Sequence, residues 1–501
     1  MLSPDAMASD ANDRWTAPVL ALVAALLAWQ LFVPPIVGLA DQGDFDRLWR
    51  WFGISAPSDD PEQRYLRYLI REWRIDPAAA VSSGFVSADL LFVAASIPLN
   101  ALLSERGVYD IRALGAVRAA MLLLCAFLLM RVARRGGSPI QAITAFALLF
   151  VVADVGYIAY FNSGFTEPGS LLFGLLVIAM FARLVVGEGR RAINVTAFVV
   201  SCALLVWSKP QNVLLALPLA ILAWRAIAST ESRRVQAVAA VCALTILVAA
   251  VLYSAFPPPL WYTQQIRHIA VFNSLLLESD DVAADLRELG VDPRWAVLVR
   301  RFPWDELSLL HADALESEFH ARVDNSSIAA FYLSHPLHAV ALLKRSAFEA
   351  LSVRVGLGEF EAASGRPPFS KARWFALRSD FVNLFAPHRF RWIAAIFGLA
   401  VAIAGIAWRA ARTRSERRLA EGVLMLALAA LIQYAVVALL QGPVAVVKGM
   451  FLFAFFYDAM IVGTLALVVY RSVHRRASMM RPACGVESSE ADRFRDVSGF
   501  D

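Results

Sequence analysis

Ten apolar runs, each about the length needed to cross a hydrocarbon layer, decide what this chain can fold into. They lie near residues 18–39, 112–132, 139–157, 168–186, 192–207, 210–227, 235–256, 391–409, 419–441 and 449–470. Inside a bilayer each segment must satisfy its own backbone polar groups, so runs of this length are helices. Of the 501 residues, 59% are hydrophobic and 18% are charged, too apolar a mixture for a soluble chain of this size to hide. The reading is an all-α polytopic membrane protein of about ten transmembrane helices.

Basic residues mark alternate ends of the runs. Arg131, Arg134 and Arg135 form one group, and Arg183, Arg190 and Arg191 the next. Arg225, Arg233 and Arg234 follow, then Arg409 to Arg418, then Arg471, Arg475 and Arg476. The positive-inside rule puts all five groups in the cytoplasm, with both termini inside. A further run, 84–103, would reverse this parity if it crossed. It carries Asp89, Pro98 and Asn100, and is read as lying in or dipping into the outer face. An eleven-span arrangement is the alternative. The chain then divides into a cytoplasmic tail (1–16), a transmembrane catalytic module with the first two outer loops (17–256) and one large periplasmic loop region (257–390). The last spans (391–470) and a cytoplasmic tail (471–501) follow.

The net charge of +5 sits at helix ends, which argues against a nucleic-acid surface. Cys125, Cys202, Cys242 and Cys484 show no metal-site spacing and no disulfide framework. The run after Arg14 lacks a small-residue cleavage pattern and is expected to remain as an anchor.

Where the first run ends, the chain reads Gly38-Leu39-Ala40-Asp41-Gln42-Gly43-Asp44-Phe45-Asp46-Arg47. Three carboxylates this close to hydrocarbon must face water, a partner or an ion. They suit a general base or hard-oxygen ligands for a divalent cation such as Mg or Mn. Asp44, beside a glycine that lets backbone approach closely, is the first choice for a base. A solvated helix end with an Asp cap is the competing reading. Downstream, Leu66, Ile70 and Trp73 recur at helical spacing, and Arg64, Arg67, Arg71 and Arg74 make a second stripe. This spacing predicts an amphipathic helix over 61–74 on the outer membrane face, its guanidinium row facing phosphates or snorkelling to headgroups.

The second outer loop runs from Asp154 to Pro168 and holds Tyr157, Tyr160, Phe161, Phe165 and Glu167. Glu167, just before a helix-starting proline, is a second carboxylate on the face that carries Asp44, or a dipole-compensating residue. Asp154 reads as a core hydrogen-bonding group. In Trp207-Ser208-Lys209-Pro210-Gln211-Asn212, Lys209 is a candidate phosphate partner or a plain connector. His335, in Tyr332-Leu333-Ser334-His335-Pro336, reads as a proton-transfer or phosphate-positioning group, or as structural. Lys448 stands at the mouth of the last span, and Asp458 lies inside it as a functional candidate or a helix-pairing residue. No phosphate-cradling glycine loop, HExxH or GxSxG is present, which argues for a lipid-linked rather than a nucleotide donor.

Taken in order, these segments resemble GT-C fold membrane glycosyltransferases, and among them the bacterial glycan-biosynthesis hexose transferase (WsfD-like) family. The carrying stretches are GLADQGDFDR, DVGYIAYFNSGFTEP, SKPQN, VFNSLLLESDDVAADLRELGVDP, YLSHP and KGMFLFAFFYDAMIV. The resemblance covers most of 18–470. It implies a GT-C-like fold with outer-loop interfacial helices, in the inner membrane of a bacterium, with the site on the extracytoplasmic side. It implies a polyprenyl-phosphate-linked hexose donor, a cell-envelope glycan or lipid-linked acceptor, and inversion at the sugar. Asp44 would be the base, with Asp41 beside it, and Glu167 a second carboxylate or, with Asp44, a metal ligand. Asp46, Arg47, Lys209, Gln211, His335 and Lys448 would contact substrate. The chain departs from the pattern at Gly164, at Gly442-Pro443, and at Lys448-Gly449, where a Lys-His pair is expected. A transporter or flippase of lipid-linked sugars remains the main competitor, although no internal repeat is apparent. A polysaccharide polymerase or ligase is the third reading.

Overall fold

The computed structural model describes residues 14–228, 232–385, 389–441 and 446–479. Most of both expected tails, and the Gly442-Pro443 turn, lie outside the described residues. Among those described, the helices that matter here are α1 (Thr16–Phe32), α2 (Leu90–Leu103), α3 (Arg112–Arg135), α4 (Ser138–Phe146), α5 (Glu167–Val186), α6 (Arg191–Ser208) and α7 (Ala216–Ile227). They continue with α8 (Arg233–Ser254), α9 (Leu260–Phe272), α10 (Asn325–Ser334), α11 (Pro336–Ser346), α12 (Arg389–Arg409), α13 (Arg414–Gln441) and α14 (Phe451–Met479). Eight helical units are long and apolar enough to cross a membrane: α3, α5, α6, the unit Pro210–Ile227, α8, α12, α13 and α14.

The other two runs are helical but altered. The first was expected to extend to Leu39, yet α1 ends at Phe32. Pro34 and Pro35 follow, and neither can donate the N–H that another turn needs. Ile36 to Asp41 continue as buried, non-helical chain, so the acidic stretch is drawn into the protein. The run 139–157 bends by 58° between Ser138–Val152 and Val155–Asn162. Asp154 causes the break: its carboxylate caps the new helix by accepting from Gly156 N at 2.8 Å.

Helix α2 has 14 residues and is about 21 Å long, short of the ~30 Å hydrocarbon core. Both its ends meet the same ends of its neighbours. Asp89 accepts from Gly169 N at the start of α5, and Asn100 bonds Val108 and Asp110 just before α3. It lies against those helix ends and does not run their length.

The expected amphipathic helix over 61–74 does not form. Only Pro61–Arg64 is helical, Leu66 has a φ of +67°, and Glu72–Ile75 is a strand. That strand, β2, sits between β1 (Ile54–Ser55) and β3 (Val108–Asp110) in an antiparallel sheet, with Trp73 opposite Tyr109. Tertiary packing overrides the helical spacing. Trp73 is buried against Phe45 and Trp49, each with ring centroids 5.7 Å away. The guanidinium row dissolves too. Arg64 pairs with Asp46, Arg67 with Glu62, and Arg71 with Glu72.

Two apolar cores result. The larger joins α1, the transmembrane helices and the first outer loop. The smaller, from Ala270 to Leu342, packs on the C-terminal end of α13 through Leu439 and Leu440.

Candidate functional site

Four chain segments converge where the loop between α1 and α3 meets the helix ends. They are the chain after α1, the start of α5, the end of α6 and the turn before α14.

Asp41 builds the first segment. Its side chain is fully buried, and its Oδ1 accepts from Gly43 N at 2.7 Å and Phe45 N at 3.3 Å. Gly43 has a φ of +95°, a conformation that favours glycine. The resulting turn holds Phe45 inward and presents Asp44. Phe45 lies edge-on to Phe165 at 4.8 Å, and a Cβ on Gly164 would stand 2.5 Å from the Phe45 ring. That packing explains why a small residue stands at 164.

Burial raises Asp41 to about 6, against the opposing bonds from Gly43 and Phe45 and the Arg64 charge. Its Oδ2 has no hydrogen-bond partner, and Arg64 Nε is 3.7 Å away. A carboxyl whose folded value lies above its ordinary 3.8 favours the fold when protonated. Its contribution is therefore full below about pH 4 and is lost as pH rises through about 6. The melting temperature of the wild type should fall across this window by the equivalent of about 3 kcal/mol. Asp41→Asn should remove that slope, and melting curves between pH 4 and 7 in one detergent check it.

Asp44 is gripped by two cations. Arg47 Nη2 lies 2.5 Å from its Oδ1, and Lys448 Nζ ion-pairs with its Oδ2. Gln42 donates to the same Oδ2 at 3.0 Å. Arg47 is packed among aromatic rings, 4.8 Å from Tyr262, 5.5 Å from Phe85 and 5.9 Å from Trp261. Burial lowers its guanidinium, opposed by Tyr262, Glu167 and Asp41. Lys448 stands 4.7 Å over the Phe165 ring, and burial lowers its ammonium as well, with Asp41 opposing. A Cβ on Gly449 would stand 2.2 Å from Gln441 Oε1 and 2.6 Å from Val437 Cγ1, so a histidine there would have to displace the Gln441 side chain and crowd Val437.

Glu167 is buried at the first turn of α5 and accepts from Lys209 Nζ at 2.6 Å. Lys209 precedes Pro210, which biases it to extended backbone; α6 therefore stops at Ser208 and the lysine turns inward. Lys448 joins Asp44 to the Phe165 ring, two residues before Glu167, and the Glu167 charge acts on Arg47. Gln211 donates to Gln433 at 2.9 Å and to the Gly449 carbonyl at 3.4 Å, tying α13 to the turn that carries Lys448. Asp46 faces outward and pairs with Arg64 at 2.8 Å.

His335 is not drawn into this cluster. It stacks on Phe331 at 4.3 Å and lies 3.6 Å from Glu288, all within the outer loop region. Asp458 accepts from Tyr157 and Arg378, each at 2.9 Å, and Asp154 accepts from Ser379. Both fulfil the packing alternative. Among the described residues no group of three or more His, Cys, Asp or Glu side chains could hold a metal. The carboxylates named as metal ligands are instead bound by Arg47, Lys448 and Lys209, so this donor set does not fit a divalent cation.

Two residues escaped the sequence reading of the site. Arg118 is wholly buried in α3 and donates to Asp89 and to the carbonyls of Tyr160, Phe161, Ser163 and Phe165. It gathers the loop that leads into Glu167. The signal was present, since Asp89 and Arg118 are isolated charges in apolar sequence, where charges persist when paired.

No curated protein matches this chain. Among solved structures it is similar to the archaeal oligosaccharyltransferase AglB from Archaeoglobus fulgidus in complex with an inhibitory peptide and a dolichol-phosphate. That likeness has 13% identity and a TM-score of 0.40, and covers 93% of this chain and 51% of that one. The apo form of the Archaeoglobus fulgidus oligosaccharyltransferase gives 14% and 0.39, covering 93% and 52%. ArnT from Cupriavidus metallidurans in the apo state gives 15% and 0.29, covering 93% and 77%. The chain thus spans about half the length of the two oligosaccharyltransferase chains. Residues 8–483 match the family described as the YfdI N-terminal transmembrane domain. With its eight span-length helical units, the chain is a multi-pass membrane protein belonging to that family.

Proposed function

We propose that this protein is an integral-membrane hexosyltransferase of the GT-C type, acting on the extracytoplasmic side of a bacterial inner membrane. The observation that carries the reading is the mixed-charge cluster at the helix ends, with Asp44 between Arg47 and Lys448 and Glu167 against Lys209. Transfer from a polyprenyl-phosphate hexose needs those two kinds of group together. The acceptor hydroxyl attacks the anomeric carbon as the bond from that carbon to the phosphate oxygen breaks. Asp44 takes the hydroxyl proton, and the lipid phosphate leaves with the bonding electron pair. Arg47 and Lys448 neutralise the departing phosphate. Attack opposite the leaving group inverts the anomeric centre. Glu167 holds Lys209 at the rim of the cluster. The acceptor is a cell-envelope glycan or a lipid-linked precursor of one. Lysine and arginine stand where a metal's charge would, and they neutralise the phosphate themselves.

A deletion strain tests the reading. Its envelope glycan should lack one hexose, restored by the wild-type gene and not by Asp44→Asn. An unchanged glycan composition would refute it.

A further inference from the structure

Each Asp44 carboxylate oxygen touches a cation, Arg47 at Oδ1 and Lys448 at Oδ2, and Gln42 donates to Oδ2 as well. Arg47 and Lys448 are otherwise packed on rings, Arg47 on Phe85, Trp261 and Tyr262, and Lys448 on Phe165. The two cations and one carboxylate sum to one positive charge. We infer that Asp44 occupies an anion site, formed by Arg47 and Lys448, that a phosphate monoester or diester takes over, releasing Asp44 for its chemistry. The anion site stands on the geometry alone. Only the lipid attached to the phosphate, and the proton that Asp44 then accepts, rest on the transferase reading.

The logic is competition. A carboxylate in contact with two cations is a poor base, because protonation must give up both attractions. A phosphate oxygen offers the same cations an equal or larger negative charge and suits a guanidinium in a two-point contact. As it binds, Arg47 and Lys448 turn from Asp44 to the phosphate, and the carboxylate regains basicity beside the substrate. A phosphodiester donor carries one negative charge, which balances the one positive charge of the cluster. A departing monoester carries up to two, and Asp44, once it has passed its proton to that phosphate or to water, competes as a carboxylate to expel it. The carboxylate therefore serves as both base and product-release group. Without substrate the centre is at rest.

The inference has a sign that a simple loss-of-contact account does not share. Removing the Asp44 charge should tighten phosphate binding while it abolishes transfer. Binding of farnesyl phosphate to the purified full chain in detergent is the test, read through tryptophan fluorescence. Inorganic phosphate and farnesol serve as the two separate halves of the ligand. Asp44→Asn should bind farnesyl phosphate about 10-fold more tightly than wild type, since one opposing unit charge is gone. Lys448→Met and Arg47→Met should bind it at least about 10-fold more weakly, and farnesol should not distinguish the four proteins. Each variant is scored only if its melting temperature shows it folded. Arg47→Lys keeps the charge should Arg47→Met fail that control. The same ordering with inorganic phosphate at similar strength assigns the site to the free anion. Ordering seen with farnesyl phosphate alone assigns it to the lipid headgroup. Asp44→Asn binding farnesyl phosphate equally or less tightly than wild type overturns the inference. A glycan unchanged in the deletion strain, with this ordering intact, would remove the transferase reading and leave the anion site standing.

Discussion

Asp44→Asn is expected to lower hexose transfer by about 100-fold or more, the loss typical when a general base is removed. The substitution keeps the side-chain shape and takes away the charge and the basicity. Structure should survive, because Asp44 sits at the rim of the cluster with its side chain 14% exposed. The introduced amide keeps an oxygen that can accept from Arg47 or Lys448, so the variant should fold, with a melting temperature below wild type because two largely buried cations lose their counter-charge. Asp41 cannot take over easily: its Oδ1 closes the turn and its Oδ2 is buried beside Arg64. Initial rates of transfer to acceptor, measured for both proteins at equal folded concentration, decide it. Wild-type rates in the variant would remove Asp44 as the base and turn attention to Asp41.

Arg118→Leu should have the largest effect on stability. One fully buried guanidinium donates to Asp89 at 3.1 Å and to four carbonyls between 2.7 and 3.2 Å. The substitution leaves Asp89 as an unpaired buried charge and strips the 160–165 carbonyls of their donor. Breaking a buried pair in this way costs about 3–5 kcal/mol, and the carbonyls add to it. The room for adjustment is small, since a Cβ on Gly169 would stand 2.1 Å from Asp89 Oδ2. The variant should melt far below wild type or fail to accumulate in membranes, as fluorescence-detected size exclusion after heating would record. A melting temperature within a few degrees of wild type would mean that the loop holds itself, and that Arg118 does not position Glu167.

These two residues mark what the sequence carries and what it leaves out. Apolar length and alternating arginines made the helices legible, because a bilayer permits no other use of such runs. The ends were less so. Proline at 34 and 35 cut the first helix, and the continuation to Asp41 is buried by Glu359 and Gly358 backbone contacts from more than 300 residues away. The 61–74 segment misled because Leu66, Ile70 and Trp73 have helical spacing, while Trp73 is held by Phe45, Trp49 and the strand pairing with Tyr109. In the site, Asp44, Glu167, Lys209 and Lys448 were readable as charges at outer helix ends. Their pairing was not, since Asp44 and Lys448 are 404 positions apart. His335 drew attention by residue type alone, and its partners prove local. Arg118 was a single letter in an apolar run, and its five acceptors are set by the fold.

Breaking a sugar–phosphate bond on a lipid carrier yields two products at once. The most direct measurement follows both products in one reaction, using purified protein, a polyprenyl-phosphate hexose labelled in the sugar, and an acceptor. One polyprenyl phosphate should be released for each hexose transferred, with both products lost in Asp44→Asn. A protein that moves the intact labelled lipid across proteoliposomes without releasing polyprenyl phosphate would contradict it.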